Sequence, residues 1–319
     1  MKPGKEILYL SNADVEACAL AAGDVRAAVE TMFLAKANGR AIMKPKLALH
    51  AGGTLFLSMI GGIEDTNFAG MKWVGVADTT SHGSQPHISG HVVLNDYTTG
   101  MPLAVMDARW ITGARTAAIT AVAAKYLARA DSASVGFVAC GVQGRANLEA
   151  LADLFPLKRV RGYSRRKASA EAFCDWARGR GFAAEACDTP EEAVRGMDIV
   201  VSSVPVVPKP DPVLDAGWLS PGSFAAAVDL GFSWKGETLV QLDRVVTDDL
   251  DQAVSEKLTY PKPYHGEVSG LVAGKTPGRQ SASERTGLVF AGIGLADVAV
   301  GGAVYVRALA KGLGRTLGL

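Results

Sequence analysis

No excess of either charge marks this chain: 33 basic residues stand against 32 acidic ones, for a formal net charge of +1. No basic stripe with interleaved aromatics appears, so the electrostatic footprint of a nucleic-acid binder is absent. Cysteine is scarce, and Cys18, Cys140, Cys174 and Cys187 lie far apart without metal-ligand spacing. They are expected to be reduced thiols, with no disulfide frame. His82, His87 and His91 fall in a Gly/Ser/Pro-rich stretch without a helical i, i+4 pair, so no metal is expected. No run of 18 apolar residues occurs, and residues 1–6 carry no apolar signal core. A cytoplasmic protein with no membrane partner is the expectation.

What is present is 319 residues, 48% hydrophobic and 20% charged, values that fit a globular protein of two domains. The most informative stretch is an apolar strand from residue 134 that runs into Ala139-Cys140-Gly141-Val142-Gln143-Gly144 and then a helix. Against the dinucleotide fingerprint G-x-G-x-x-G, the first glycine is an alanine and the other two stand. Gly141 would let the backbone approach a pyrophosphate, and Gly144 would let the helix pack on its strand. Free N–H groups at the helix start favour phosphate there. A strand-turn-helix with chance glycines is the alternative.

The surrounding pattern supports a βαβ unit. A helix is expected over 147–155 and strands over 159–163, 183–186, 198–203, 223–228 and 244–247, with short helices over 169–178 and 191–195. Val204-Pro205 breaks the pattern at the carboxyl end of the strand that ends in Ser203, where doubly wound sheets place ligands, so Ser203 and Val204 are candidate cofactor contacts. At the tip of the second strand stand Ser164, Arg165 and Arg166, where NAD enzymes usually carry an acid. Guanidinium groups there favour a 2′-phosphate, hence NADP(H) over NAD(H). A solvated basic turn is the plainer reading.

Outside residues 131–292 the period changes. Helices are expected over 14–21 and from 23 to 38, the first capped by Ser11 or Asn12. Short strands follow over 46–50, 54–59, 71–77, 89–95 and 103–107, then an Ala-rich helix over 110–130. The tail, 289–319, reads as helical and is expected to return to this first domain. The expected architecture is α/β, a Rossmann-type doubly wound parallel sheet over 131–292 plus a discontinuous α+β substrate and dimerisation domain over 1–130 and 293–319.

Residues 95–107, the block Arg115-Thr116-Ala117-Ala118, Lys72, the Gly141–Gln143 turn, Asp248, Glu267 and the run from Gly292 to Asp297 resemble the signature of the ornithine cyclodeaminase and mu-crystallin family across nearly the whole chain. The resemblance implies a homodimer, a nicotinamide cofactor and chemistry on the imine of an amino acid. It implies catalytic roles for Lys72, Asp229 and Arg115, a substrate site of Lys46, Met59, Arg115 and Lys72, and cofactor contacts at Thr116, Asp229 and Gly292. These join Gly141, Val142, Gln143, Gly144, Ser164, Arg165, Arg166, Ser203 and Val204. Lys46 takes the place of an Arg, and the Glu that family cyclodeaminases carry before a Met-Pro pair is missing around Ser58-Met59-Ile60, with Glu64 and Asp65 the nearest acids. Reduction of a 2-imino acid or cyclic ketimine, or the reverse oxidation, therefore ranks above a cyclodeaminase-type lyase with catalytic NAD and above a non-catalytic NADPH-binding protein. Arg115 is also expected to be able to pair structurally with Asp107 or Asp96.

Overall fold

A computed structural model describes residues 4–77, 86–205, 211–258, 260 and 263–319; His82 lies outside them. In chain order the elements are β1 (Glu6–Leu10), α1 (Asn12–Ala17), α2 (Ala22–Ala37), β2 (Ala41–Met43), β3 (Leu47–Ala51), β4 (Thr54–Ile63), β5 (Phe68–Val76), β6 (Ile88–Asp96), β7 (Pro102–Asp107) and α3 (Arg109–Leu127). There follow β8 (Ser134–Val138), α4 (Val142–Ala152), β9 (Arg159–Tyr163), α5 (Lys167–Arg178), β10 (Ala183–Ala186), α6 (Pro190–Val194), β11 (Ile199–Ser202) and β12 (Phe224–Ala227). The last are β13 (Arg244–Thr247), α7 (Leu250–Ser255), α8 (Val268–Val272), β14 (Thr286–Val289), α9 (Gly294–Lys311) and β15 (Arg315–Gly318). The chain forms two compact units, Met1–Arg115 with Ile293–Leu319, and Thr116–Gly292. The first crossing falls inside α3, not after residue 130.

The first unit holds an eight-stranded mixed sheet in the order β15-β1-β7-β6-β5-β4-β2, with β3 also on β4. All its pairs are antiparallel except β1 with β7. Alternation sets the two faces of β5: Lys72 and Val74 are buried while Trp73 between them is exposed. The buried face is covered by α9, which packs on β4, β5 and β6 and is itself packed by α2. Residues Gly294–Gly302 of α9 are all buried. A Cβ at Gly294 would lie 2.8 Å from the Met59 backbone, so glycine lets the first turn of α9 rest directly on β4.

The tail differs from the helical expectation. Gly312 caps α9 with φ +65° and Gly314 has φ +87°, so the helix stops and the chain returns as β15, antiparallel to β1. Ser11 does cap α1, accepting from the Asp14 N–H while the Asp14 carboxylate accepts from the Ser11 N–H.

The second unit is a seven-stranded sheet, β10-β9-β8-β11-β12-β14-β13, parallel throughout. Every residue of β8, β11, β12 and β14 is buried, as a sheet covered on both faces requires. Strand order reverses between β8 and β11, the position where α/β sheets open a ligand crevice. The helix after β8 begins at Val142, five residues before the expected 147, because Gly141 supplies its N-cap.

Candidate active site

In the first unit, β5 carries Lys72 and α3 carries Arg115 into the buried side of the sheet, where both meet Asp297 in the first turn of α9. Lys72 Nζ is 2.8 Å and Arg115 Nε 3.1 Å from the same oxygen, Asp297 Oδ1. The three residues are 1%, 5% and 0% exposed. Thr112 Oγ1, one turn before Arg115 on α3, lies 3.5 Å from Lys72 Nζ. Burial, helped by the charges of Arg115 and Lys46, brings the Lys72 ammonium down to about 8, against the pull of Asp297. Lys46 is half-buried between β2 and β3 and sits within electrostatic reach of Lys72. Met59 is the direct β4 partner of Lys72 and is buried beside it. Lys72, Arg115, Lys46 and Met59 thus share one neighbourhood.

Neither Asp107 nor Asp96 is the partner of Arg115: Asp107 accepts from Arg109, and Asp96 from Asn67 and Thr99. Asp65, one of the two acids after β4, is paired with Arg40 at 2.9 Å.

In the second unit, the turn after β8 fits a dinucleotide phosphate. A Cβ at Gly141 would meet nothing within 4 Å, leaving open space where the fingerprint needs close approach. A Cβ at Gly144 would meet the Ala139 carbonyl oxygen at 3.3 Å and Phe173 at 3.6 Å, the tight helix-on-strand packing assigned to the last glycine. Ala139, in the first glycine's place, takes φ +75°, a left-handed conformation that glycine adopts without strain. The Cys140 N–H donates to Ser164 Oγ at 2.9 Å, tying the turn to the tip of β9. Burial drives the Cys140 thiol up to about 12, which disfavours the thiolate that a nucleophile needs. Arg165 and Arg166 are exposed beyond that tip, and Arg166 is the N-cap residue of α5.

Along the same carboxyl edge, Ser203 Oγ donates to the Ala139 carbonyl across the strand-order reversal. The Val204 N–H donates to Asp229 Oδ2, which also accepts from Ser233 Oγ at 2.7 Å, while Oδ1 accepts from Ser202 Oγ. Trp234 Nε1 in turn donates to Ser202 Oγ. Burial raises the Asp229 carboxyl above the usual range, opposed by these donors. Gly292, at φ +85°, and Ala291 give their N–H groups to the two oxygens of Asp248. Thr116 is buried in the middle of α3.

Sequence reasoning did not assign Asp297, Asp248, Ser202 or Ser233 to the site. Asp297 had a local signal: a single acid in the apolar run Leu295-Ala296-Asp297-Val298-Ala299, where burial demands a partner. Among the described residues, no group of three or more His, Cys, Asp or Glu side chains is placed to hold a metal.

Comparison with known proteins places the chain among similar sequences and folds. Alanine dehydrogenase of Archaeoglobus fulgidus is 33% identical over 321 residues, covering 97% of both chains. A solved archaeal alanine dehydrogenase dimer with bound NAD matches with a TM-score of 0.86 at 32% identity, over 98% of this chain and 99% of that one. The Thermococcus litoralis Δ1-pyrroline-2-carboxylate reductase, solved with NADH and L-proline, matches at 0.87 and 26% identity, over 97% and 99%. The model of the ornithine cyclodeaminase/mu-crystallin family matches residues 5–312. This chain therefore belongs to the ornithine cyclodeaminase/mu-crystallin family.

Proposed function

We propose that the protein is an NAD(P)-dependent oxidoreductase that reduces a 2-imino acid or cyclic ketimine to the amino acid, or runs the reverse oxidation. The observation that carries the reading is the buried pair Lys72 and Arg115 on one oxygen of Asp297, with Lys46 nearby. Cations gathered at one buried place, two of them held on a single carboxylate oxygen, suit the carboxylate of a substrate. The relatives named above, an alanine dehydrogenase and a pyrroline-carboxylate reductase, act on carboxylates with nitrogen at the neighbouring carbon. No acid stands on β4, so a second substrate amine finds no counter-charge there, which favours reduction over cyclodeamination.

In this reading Gly141, Val142, Gln143 and Gly144 hold the cofactor pyrophosphate at the start of α4. Ser164, Arg165 and Arg166 hold the adenosine ribose, and the two guanidinium groups favour NADP(H) over NAD(H). Thr116, Ser203, Val204 and Gly292 complete its binding. The bound cofactor supplies a hydride for the C=N carbon. Lys72, Arg115 and Lys46 bind and orient the carboxylate, with Met59 against the substrate. Asp229 stabilises the protonated imine nitrogen and manages its proton, a task suited to a carboxyl whose affinity for protons burial has raised.

The reading includes a cytoplasmic homodimer. Ile42, Leu47, Leu49, Ile60 and Trp73 are exposed and share the face of the first sheet opposite Lys72. Among the described residues no helix is long and apolar enough to cross a membrane.

The test is oxidation of NADPH and NADH with pyrroline- and piperideine-2-carboxylates, and with 2-oxo acids plus ammonia or methylamine. Substrate-dependent oxidation is expected. Ammonia release without net cofactor change identifies a lyase instead, and cofactor binding without turnover a binding protein.

A further inference from the structure

We propose that Asp297 is a positioning residue that keeps Lys72 charged and holds it beside Arg115, so that two cations face one substrate carboxylate. The inference builds on the proposed role of that pair and assigns Asp297 no contact with substrate.

The geometry is of one anion shared by two cations. Asp297 Oδ1 stands 2.8 Å from Lys72 Nζ and 3.1 Å from Arg115 Nε, with all three side chains withdrawn from water. Among the described residues, the charged groups that act on Lys72 come from three elements. From α3, Arg115 works against its charge, with the neutral Thr112 hydroxyl at 3.5 Å; from the β2–β3 connection, Lys46 works against it as well; from α9, Asp297 works for it. A buried ammonium next to a guanidinium, once deprived of its counter-charge, relieves its cost by giving up its proton. The neutral amine would no longer attract a carboxylate. Asp297 is delivered by the helix turn that Gly294 seats on β4, and Asp297 is fully buried.

The experiment follows Lys72 directly. In full-length protein with ¹³C-labelled lysine, the Lys72 Cε resonance is assigned by its loss in Lys72→Met and titrated with pH. The parent is expected to titrate near 8. Asp297→Asn should lower the midpoint by about one pH unit or more, whereas Asp297→Glu should stay within about half a unit of the parent. A midpoint unmoved in Asp297→Asn overturns the proposal. Should that variant fail to fold, Arg115→Gln and the Arg115→Gln/Asp297→Asn double variant form the comparison. Arg115→Gln should raise the midpoint and the second change bring it back down; a double variant that titrates with Arg115→Gln overturns the proposal equally. The resonance is read without substrate. A shifted midpoint in a protein that oxidises neither NADPH nor NADH with any imine therefore sinks the oxidoreductase reading and leaves the role of Asp297 standing. With turnover, the pH above which KM rises should move down with the midpoint in Asp297→Asn, a change that a merely structural role would not produce.

Discussion

Lys72 holds its charge where burial opposes it, and in the proposed function that makes its protonation a measurable part of binding. Its affinity for protons is lowered from the ordinary 10.5 to about 8. Below that pH the ammonium is present and attracts a carboxylate; above it the amine is neutral. KM for an imino acid should therefore be flat to about pH 8 and then rise by up to about tenfold per pH unit. A KM unchanged to pH 9.5 would remove Lys72 from the carboxylate site. Asp229 makes a different kind of prediction, because its partners can adapt to an amide. Asn can keep its oxygen toward Val204 N–H and Ser233 Oγ and its NH2 toward Ser202, whose hydroxyl rotates. Asp229→Asn should cost about 1 kcal/mol of stability, read by thermal unfolding. It should lower kcat by roughly 10²–10⁴-fold, with a smaller change in KM. A variant that reduces imines at the parental rate would make the carboxylate structural.

The turn joining β8 to α4 separates folding from binding within four residues. A methyl at Gly141 meets nothing of the chain itself, so Gly141→Ala should melt within about a degree of the parent yet bind NADPH about tenfold or more weakly. Equal NADPH affinity, measured by fluorescence titration, would put the phosphate elsewhere. The β9–α5 turn tests cofactor choice. Arg165 and Arg166 are exposed at the tip, as a phosphate clamp or a solvated turn would both have them. Replacing both with Ala should weaken NADPH by about tenfold or more and leave NADH nearly unchanged, since a charge-assisted hydrogen bond contributes roughly 1.5–3 kcal/mol. Equal loss for the two cofactors would contradict the 2′-phosphate assignment.

For the whole molecule, the uncovered sheet face carries the prediction. Trp73 stacks on Phe56 at 5.7 Å on the side of the sheet away from α9, and Leu47 and Leu49 on β3 flank them. An apolar face of this kind calls for a covering partner, and a second copy meets it with an identical surface. Light scattering at micromolar concentration should give a dimer mass, and the pair Leu47→Lys and Leu49→Lys should shift it toward the monomer. A parent that scatters as a monomer would contradict the assembly.

The glycine turn, the parallel strands of the second unit other than β14 and the five strands from β3 to β7 were legible in the sequence because their signals are contiguous. A turn residue or an apolar alternation acts on neighbours a few positions away. The start of α4 was misplaced because periodicity alone ignores the N-cap at Gly141. The tail was read as helix throughout because β15 has meaning only against β1, nearly the whole chain away. Alternation likewise placed Lys72 on one face of β5 without saying which face is covered. That was decided by α9, which brings Asp297 to Lys72 from 225 residues further along the chain. Local composition determined the glycine turn and the elements whose signals are contiguous; tertiary packing alone decided that β15 is a strand, that Lys72 is buried and that its anion is Asp297, since strand pairing, burial and charge pairing depend on distance in space.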